Sequence, residues 1–214
     1  MGNNRQIDGG IINIAGTLSR IGTTTQSLQL VKYLQRSGYS AAYFECNEQN
    51  YIAGVFEQCL SLEPYKKGTM ITCFDIDMYP GEFLLDFSDG NSKYDFLICD
   101  YGNMQLDKFN QSGFLSGDAR ILVGGWEPNE RYELTRRLGE TKYEDSIFML
   151  SFIDHEIEPF VREQMGSAEQ RTFCSPYMPD PFGTYPMQDG DMYPKLMYWV
   201  GEMMNKRPLL KVVD

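Results

Sequence analysis

Several stretches of this chain are apolar at nearly every residue, and that pattern narrows the possible folds more than any other feature. They include "GIINIAG" (10–16), "YDFLICDYG" (94–102), "ARILVGG" (119–125) and "SIFMLSFID" (146–154). A strand with one wet face alternates polar and apolar residues, whereas an unbroken apolar run belongs to a strand covered on both sides. "SAAYFECN" (40–47) reads as a second strand in chain order, and 69–76 as another that precedes a turn at "YPGE". Helical periodicity fills the gaps. In "TTTQSLQLVKYLQRSG", Ser27, Leu30, Val31 and Leu34 share a face and Gly38 ends the run. Further helices are expected over 51–62, 129–140, about 156–165 and 193–206, with a short strand from 171 that leads into a proline-rich loop. Strands alternating with helices imply an α/β fold of three layers: a mostly parallel sheet with helices on both faces. With 214 residues and no repeat, linker or low-complexity stretch, one domain spanning 1–214 is expected.

Charge and side-chain chemistry remove several functions. A net charge of −11 argues against a sequence-independent grip on nucleic acid, which needs cations along a groove. "RYELTRR" (131–137) is the best local basic candidate, and it equally suits a solvated helix face. His155 is the only histidine, which rules out His-rich metal sites and makes a Ser–His–Asp triad a poor fit. The five cysteines have no metal-like spacing and fit free thiols in a reducing, cytoplasmic setting. No apolar run approaches 18 residues, so no transmembrane segment is expected. The aromatic, Met-rich stretch 175–195, with Tyr177, Phe182, Tyr185 and Tyr193, suits either a contact surface or a loop folded over the core.

In an open α/β sheet the ligand site lies beyond the carboxyl ends of the strands. Here the first strand hands over to the first helix through "AGTLSRIGTTTQ", with Gly16, Gly22 and the run Thr23, Thr24 and Thr25. A glycine-rich turn at that place can aim backbone N–H groups at an anion, and the helix N-terminus adds partial positive charge. Thr24 and Thr25 equally suit plain helix capping.

This segment resembles the MinD/ParA-like branch of P-loop NTPases, with its deviant phosphate-loop pattern KGGxGK[ST][ST]. Anchored on Gly22, Leu18 and Thr23 stand where the two lysines would be, Ser19 and Arg20 replace the two glycines, and Thr24 and Thr25 match the hydroxyl pair. Where the family's second strand ends in DxD, this chain has Glu45 and Asn47. Its Asp–x–Gly turn is matched by Asp100 and Gly102, and "SFID" with "YMPDPF" lies where the last strands and base-contacting loop would fall.

The resemblance implies ATP and Mg²⁺ as cofactors. Gly16, Gly22 and the backbone of Arg20, Ile21, Gly22, Thr23 and Thr24 would wrap the phosphates. Thr25 would reach the phosphate nearest the ribose, Thr24 would touch Mg²⁺, and Asp100 would hold the metal through water. It also implies a protein partner and a nucleotide-sandwich homodimer. Loss of the lysines removes the charge that drives phosphoryl transfer, so a slow or degenerate nucleotide switch or scaffold is the expected function. Two alternatives stay open: an active Mg²⁺-dependent ATPase using Arg20 or a partner's cation, and a protein-binding module without nucleotide.

Overall fold

The computed structural model describes residues 9–60, 64–84, 93–183 and 192–206. The N-terminal residues 1–8, Tyr185 in the aromatic stretch and the tail 207–214 lie outside them. Eight strands form one sheet in the order β3-β4-β2-β5-β1-β6-β7-β8. These are β1 (Gly10–Gly16), β2 (Ala41–Glu45), β3 (Ile71–Cys73), β4 (Ile76–Pro80), β5 (Phe96–Asn103), β6 (Ala119–Gly124), β7 (Ile147–Ser151) and β8 (Thr172–Ser175). Every neighbouring pair is parallel except β3 with β4.

The described helices are α1 (Thr23–Arg36), α2 (Tyr51–Val55), α3 (Gln111–Ser116), α4 (Pro128–Leu138), α5 (Glu158–Glu163) and α6 (Met192–Lys206). They divide cleanly between the two faces of the sheet. Leu28, Leu30, Val31 and Leu34 of α1, Ile52 of α2 and Leu196 and Val200 of α6 pack with Ile12, Ile14, Tyr43, Ile98 and Ile121. Phe114 of α3, Leu134 of α4 and Val161 of α5 pack with Phe44, Leu97, Cys99, Leu122 and Phe148 on the other face. Alternate strand residues serve the two layers, which is why the central strands had to be apolar throughout. All eight residues of β5 are buried.

Two local readings are corrected. The expected strand 69–76 followed by a turn at "YPGE" is a hairpin of β3 and β4, whose turn residues Phe74 and Asp75 have φ of 49° and 64°. Left-handed geometry at both central positions fits the right-handed twist of paired strands, but it usually recruits Asn or Gly, so no turn signal was visible. The helix expected over 51–62 is α helical only to Val55 and continues as a π turn over Phe56–Leu60. Helix α3 carried too little periodicity to be expected.

Among the described residues, no helix is long and apolar enough to cross a membrane, and no His/Cys/Asp/Glu group could hold a metal by clustering. The arginines of "RYELTRR" are absorbed locally. Arg131 stacks on Trp126 at 4.6 Å, Arg136 pairs with Glu133 and Arg137 with Glu140. His155 is fully exposed beside Glu158. The aromatic stretch is mixed: Tyr177 is exposed, Tyr193 is buried, and Phe182 packs on Phe74 at 4.8 Å.

Candidate functional site

The turn from β1 to α1 emerges at the carboxyl edge of the sheet, next to the end of β5. The start of the turn is tied down twice. The Thr17 N–H donates to the Val123 carbonyl at 2.8 Å, and the Gly16 carbonyl accepts from Met104 N–H at 2.9 Å. Further along the loop, Asn103 donates from its carboxamide to Ser19 Oγ at 2.7 Å. Gly16 is required because a Cβ there would lie 2.2 Å from Thr23 Oγ1 and 2.7 Å from Ile21 Cγ2.

Arg20 has φ 60° and Gly22 φ 92°, with right-sided backbone at Ile21 between them. Alternation of this kind bends successive amides into one concavity. Arg20 thus keeps a glycine-like conformation at a place where the resembled pattern has glycine. The Gly22 carbonyl starts α1 by accepting from Gln26 N–H at 2.9 Å, and no side chain caps the helix. Ser19 and Arg20 form a hydrogen-bonded turn, and beyond it the backbone N–H groups of residues 22–25 donate to no acceptor among the described residues. An anion can therefore meet a ring of free amides at a helix N-terminus.

The capping alternative for Thr24 fails, since Gly22 is the N-cap and the Thr24 hydroxyl donates to Asp100 Oδ2 at 2.7 Å. Thr25 is half-buried in the same turn. Thr23 turns inward over Gly16, and Leu18, at the place of the first lysine, packs down on the core. Arg20 is exposed, with no hydrogen bond or ion pair among the described residues. It is the lone cation of the loop.

Asp100 is fully buried at the end of β5. Its Oδ2 accepts from Thr24 and, at 3.0 Å, from the Tyr43 hydroxyl, while its Oδ1 accepts from Gly102 N–H at 2.8 Å. That last bond closes a tight turn onto the carboxylate, and Gly102 leaves it at φ 68°, a conformation glycine adopts without strain. Burial pushes the Asp100 carboxyl above its usual range, and the three donors only partly oppose it. A buried anion met by neutral donors alone is chemically suited to a divalent cation, which Thr24 and Asp100 could hold. The same geometry fits a phosphate held by amides, without an ammonium group.

Glu45 and Asn47, at the DxD place, have structural tasks. Glu45 accepts from the Tyr51 and Ile52 N–H groups at the start of α2, and burial raises its pKa. Asn47 donates to the Asp100 carbonyl at 2.9 Å. Neither is a free carboxylate that could orient water. Sequence reasoning missed Tyr43, Ser19 and Asn103, and only the pairing of β2 with β5 brings Tyr43 to the site. A neighbouring cleft of about 790 Å³ lies between the ends of β2, β4 and β5, bordered by Cys46, Lys67, Tyr101 and Asn103. The phosphate loop does not line it.

Sheet order, with a strand–loop–helix unit at its centre, defines the three-layer α/β class of P-loop nucleoside triphosphatase folds. No family model and no curated protein matches the chain. Solved structures do. The chain is similar to the MinD cell division protein of Aquifex aeolicus, alone (TM-score 0.58, 14% identity) and in the MinC:MinD complex (0.59, 13%), covering 90% of this chain and 86% of that one in each. A putative plasmid partition protein of Borrelia burgdorferi bound to AMPPNP gives a TM-score of 0.54 at 15% identity, covering 93% and 99%. A ParA family ATPase of Chlorobium tepidum gives 0.50 at 11%, covering 94% of each. The fold is that of the MinD/ParA-like P-loop NTPases.

Proposed function

We propose that this chain binds ATP with Mg²⁺ through its β1–α1 loop and acts as a slow or non-hydrolysing switch or scaffold for a partner protein. One observation carries the reading: unpaired amides at residues 22–25 adjoin the Thr24–Asp100 pair, and no lysine accompanies them. Amides and hydroxyls keep an anion in place. Turnover needs charge that strengthens as the phosphoryl group transfers, and that charge is missing. The AMPPNP held by the similar partition protein and the MinC partner of the similar MinD support a nucleotide and a protein partner, respectively.

Gly16, Gly22 and the backbone of residues 20–25 would hold the phosphates, and Thr24 and Asp100 the metal. Bound Mg²⁺ would neutralise phosphate charge. The chain's own contribution is orientation, because Thr24 joins the end of α1 to the end of β5 in one hydrogen bond. A second reading, an ATPase using Arg20, draws on that residue's exposure and lack of a partner.

Calorimetry of ATP with and without Mg²⁺, beside a phosphate-release assay, tests both. Weak Mg²⁺-dependent binding with release near background is expected. Brisk release abolished by Asp100→Ala would defeat the slow-switch reading, and absence of any ATP binding would defeat both.

A further inference from the structure

Tyr43 lies on β2 with its ring in the core and its hydroxyl against Asp100. Both side chains have no exposed surface. In the parallel β2–β5 pair Tyr43 lies opposite Ile98, so Asp100 is its diagonal neighbour on the same face of the sheet. That separation is one that an aromatic side chain reaches and a short one does not. The Tyr43 hydroxyl donates to Asp100 Oδ2 at 3.0 Å, and it has no other hydrogen-bond partner among the described residues. A fully buried phenol is costly without such a bond, and phenylalanine would fill the same core space without that cost.

Thr24 donates to the same oxygen at 2.7 Å, and Gly102 N–H to the other at 2.8 Å. The carboxylate is gripped at both oxygens, and three of its roughly four acceptor sites are taken. Thr24 sits in the first turn of α1, where the loop ends, whereas Tyr43 belongs to β2 inside the sheet. We propose that Tyr43 is a positioning residue for the metal: its hydroxyl fixes the Asp100 carboxylate, so that the remaining acceptor site is presented to a divalent cation beside Thr24. The inference rests on the Mg²⁺–nucleotide reading above and deepens it, by naming what orients the metal's carboxylate where loop lysines are absent.

The test uses the 214-residue chain, ATP and magnesium chloride. ATP binding is measured by calorimetry in EDTA and over a Mg²⁺ series for the wild type, Tyr43→Phe and Tyr51→Phe. Tyr51 is the control, an aromatic neighbour whose ring centroid lies 6.5 Å from that of Tyr43. Removing a hydrogen-bond partner from a metal-holding group commonly weakens metal binding by about 10–100-fold. For Tyr43→Phe, the Mg²⁺ concentration giving half the enhancement should rise by about tenfold. Its ATP affinity in EDTA should stay at the wild-type value, and Tyr51→Phe should match the wild type throughout. A Mg²⁺ midpoint for Tyr43→Phe within about twofold of the wild type would overturn the proposal, whatever happens to its melting temperature, since a structural hydroxyl alters folding without altering the metal. An equal shift in Tyr51→Phe would overturn it as well. Wild-type binding that ignores Mg²⁺ would instead remove the metal reading itself, and Tyr43's role with it.

Discussion

Replacing Asp100 with asparagine should stabilise this protein in the absence of metal while ending its response to Mg²⁺. The substitution keeps shape but reverses two hydrogen bonds. An asparagine carbonyl can accept from Gly102 N–H, and its amide can donate to the hydroxyl oxygens of Thr24 and Tyr43, whose own O–H protons then lose this acceptor. What disappears is a fully buried negative charge whose pKa is raised by burial, against three opposing donors. A raised carboxyl pKa means that the folded state holds the anion less favourably than water does, by about 1.4 kcal/mol for each unit. Relief of that buried charge favours the variant at neutral pH, offset in part by the two hydroxyl protons left without their acceptor, each worth about 1 kcal/mol. The sign of the pH dependence is fixed. The folded wild type binds the Asp100 proton more readily than the unfolded chain, so the variant's advantage is full above the folded pKa. It shrinks as pH falls through that pKa and closes below the unfolded value near about 4. Thermal melts in EDTA from about pH 4 to 8 measure the gap. Adding saturating Mg²⁺ to ATP should then raise the wild-type melting temperature further and add nothing for the variant. A variant less stable than the wild type at neutral pH, or a gap that ignores pH, would refute the reasoning.

Three further outcomes are expected. Gly22→Ala forces a side chain into φ 92° with its Cβ 3.0 Å from Ser151 Oγ, so denaturant melts should show a loss of about 1–2 kcal/mol and calorimetry a weaker ATP signal. Arg20→Ala should leave any phosphate release unchanged; a drop of tenfold or more, roughly the scale set by loss of a transition-state donor, would favour the ATPase reading. Asp75→Gly relieves a left-handed turn residue whose backbone carbonyl still accepts from Gln35, and should raise stability by about 0.5 kcal/mol in a denaturant titration.

The layered sheet was legible because its signal is repeated. Each of the runs at 10–16, 94–102, 119–125 and 146–154 had to be apolar on both faces, and each contains or overlaps a buried parallel strand. The loop was legible for a different reason: Gly16, Gly22 and the threonines carry local backbone demands that sequence records directly. Contacts that depend on register were not legible. Tyr43 looks like any other core aromatic until the β2–β5 pairing places Asp100 diagonally from it. Asn103 reaches Ser19 across 84 residues, and no local pattern marks that meeting. The β3–β4 turn was hidden because Phe74 and Asp75 adopt a conformation that their residue types seldom signal.

The costs built into the loop argue against a protein that has given up its anion. Asp100 carries a desolvated charge with no cation beside it among the described residues, Arg20 holds φ 60° where glycine would be relaxed, and no side chain caps α1. Each cost is small and could be relieved separately: asparagine at 100, glycine at 20, an acidic or hydroxyl N-cap at 22. Strain of this kind clusters at sites that use it, and selection for stability alone would erase it. The lysines, in contrast, could be lost without disturbing the backbone, since Leu18 packs on the core and Thr23 closes over Gly16. Geometry kept under strain, without lysine charges, is what the proposed slow switch would need in order to hold its ligand without turning it over. A nucleotide-free module would have no reason to keep Asp100 ionisable. The stability gain from Asp100→Asn therefore measures how much the chain gives up to keep that site.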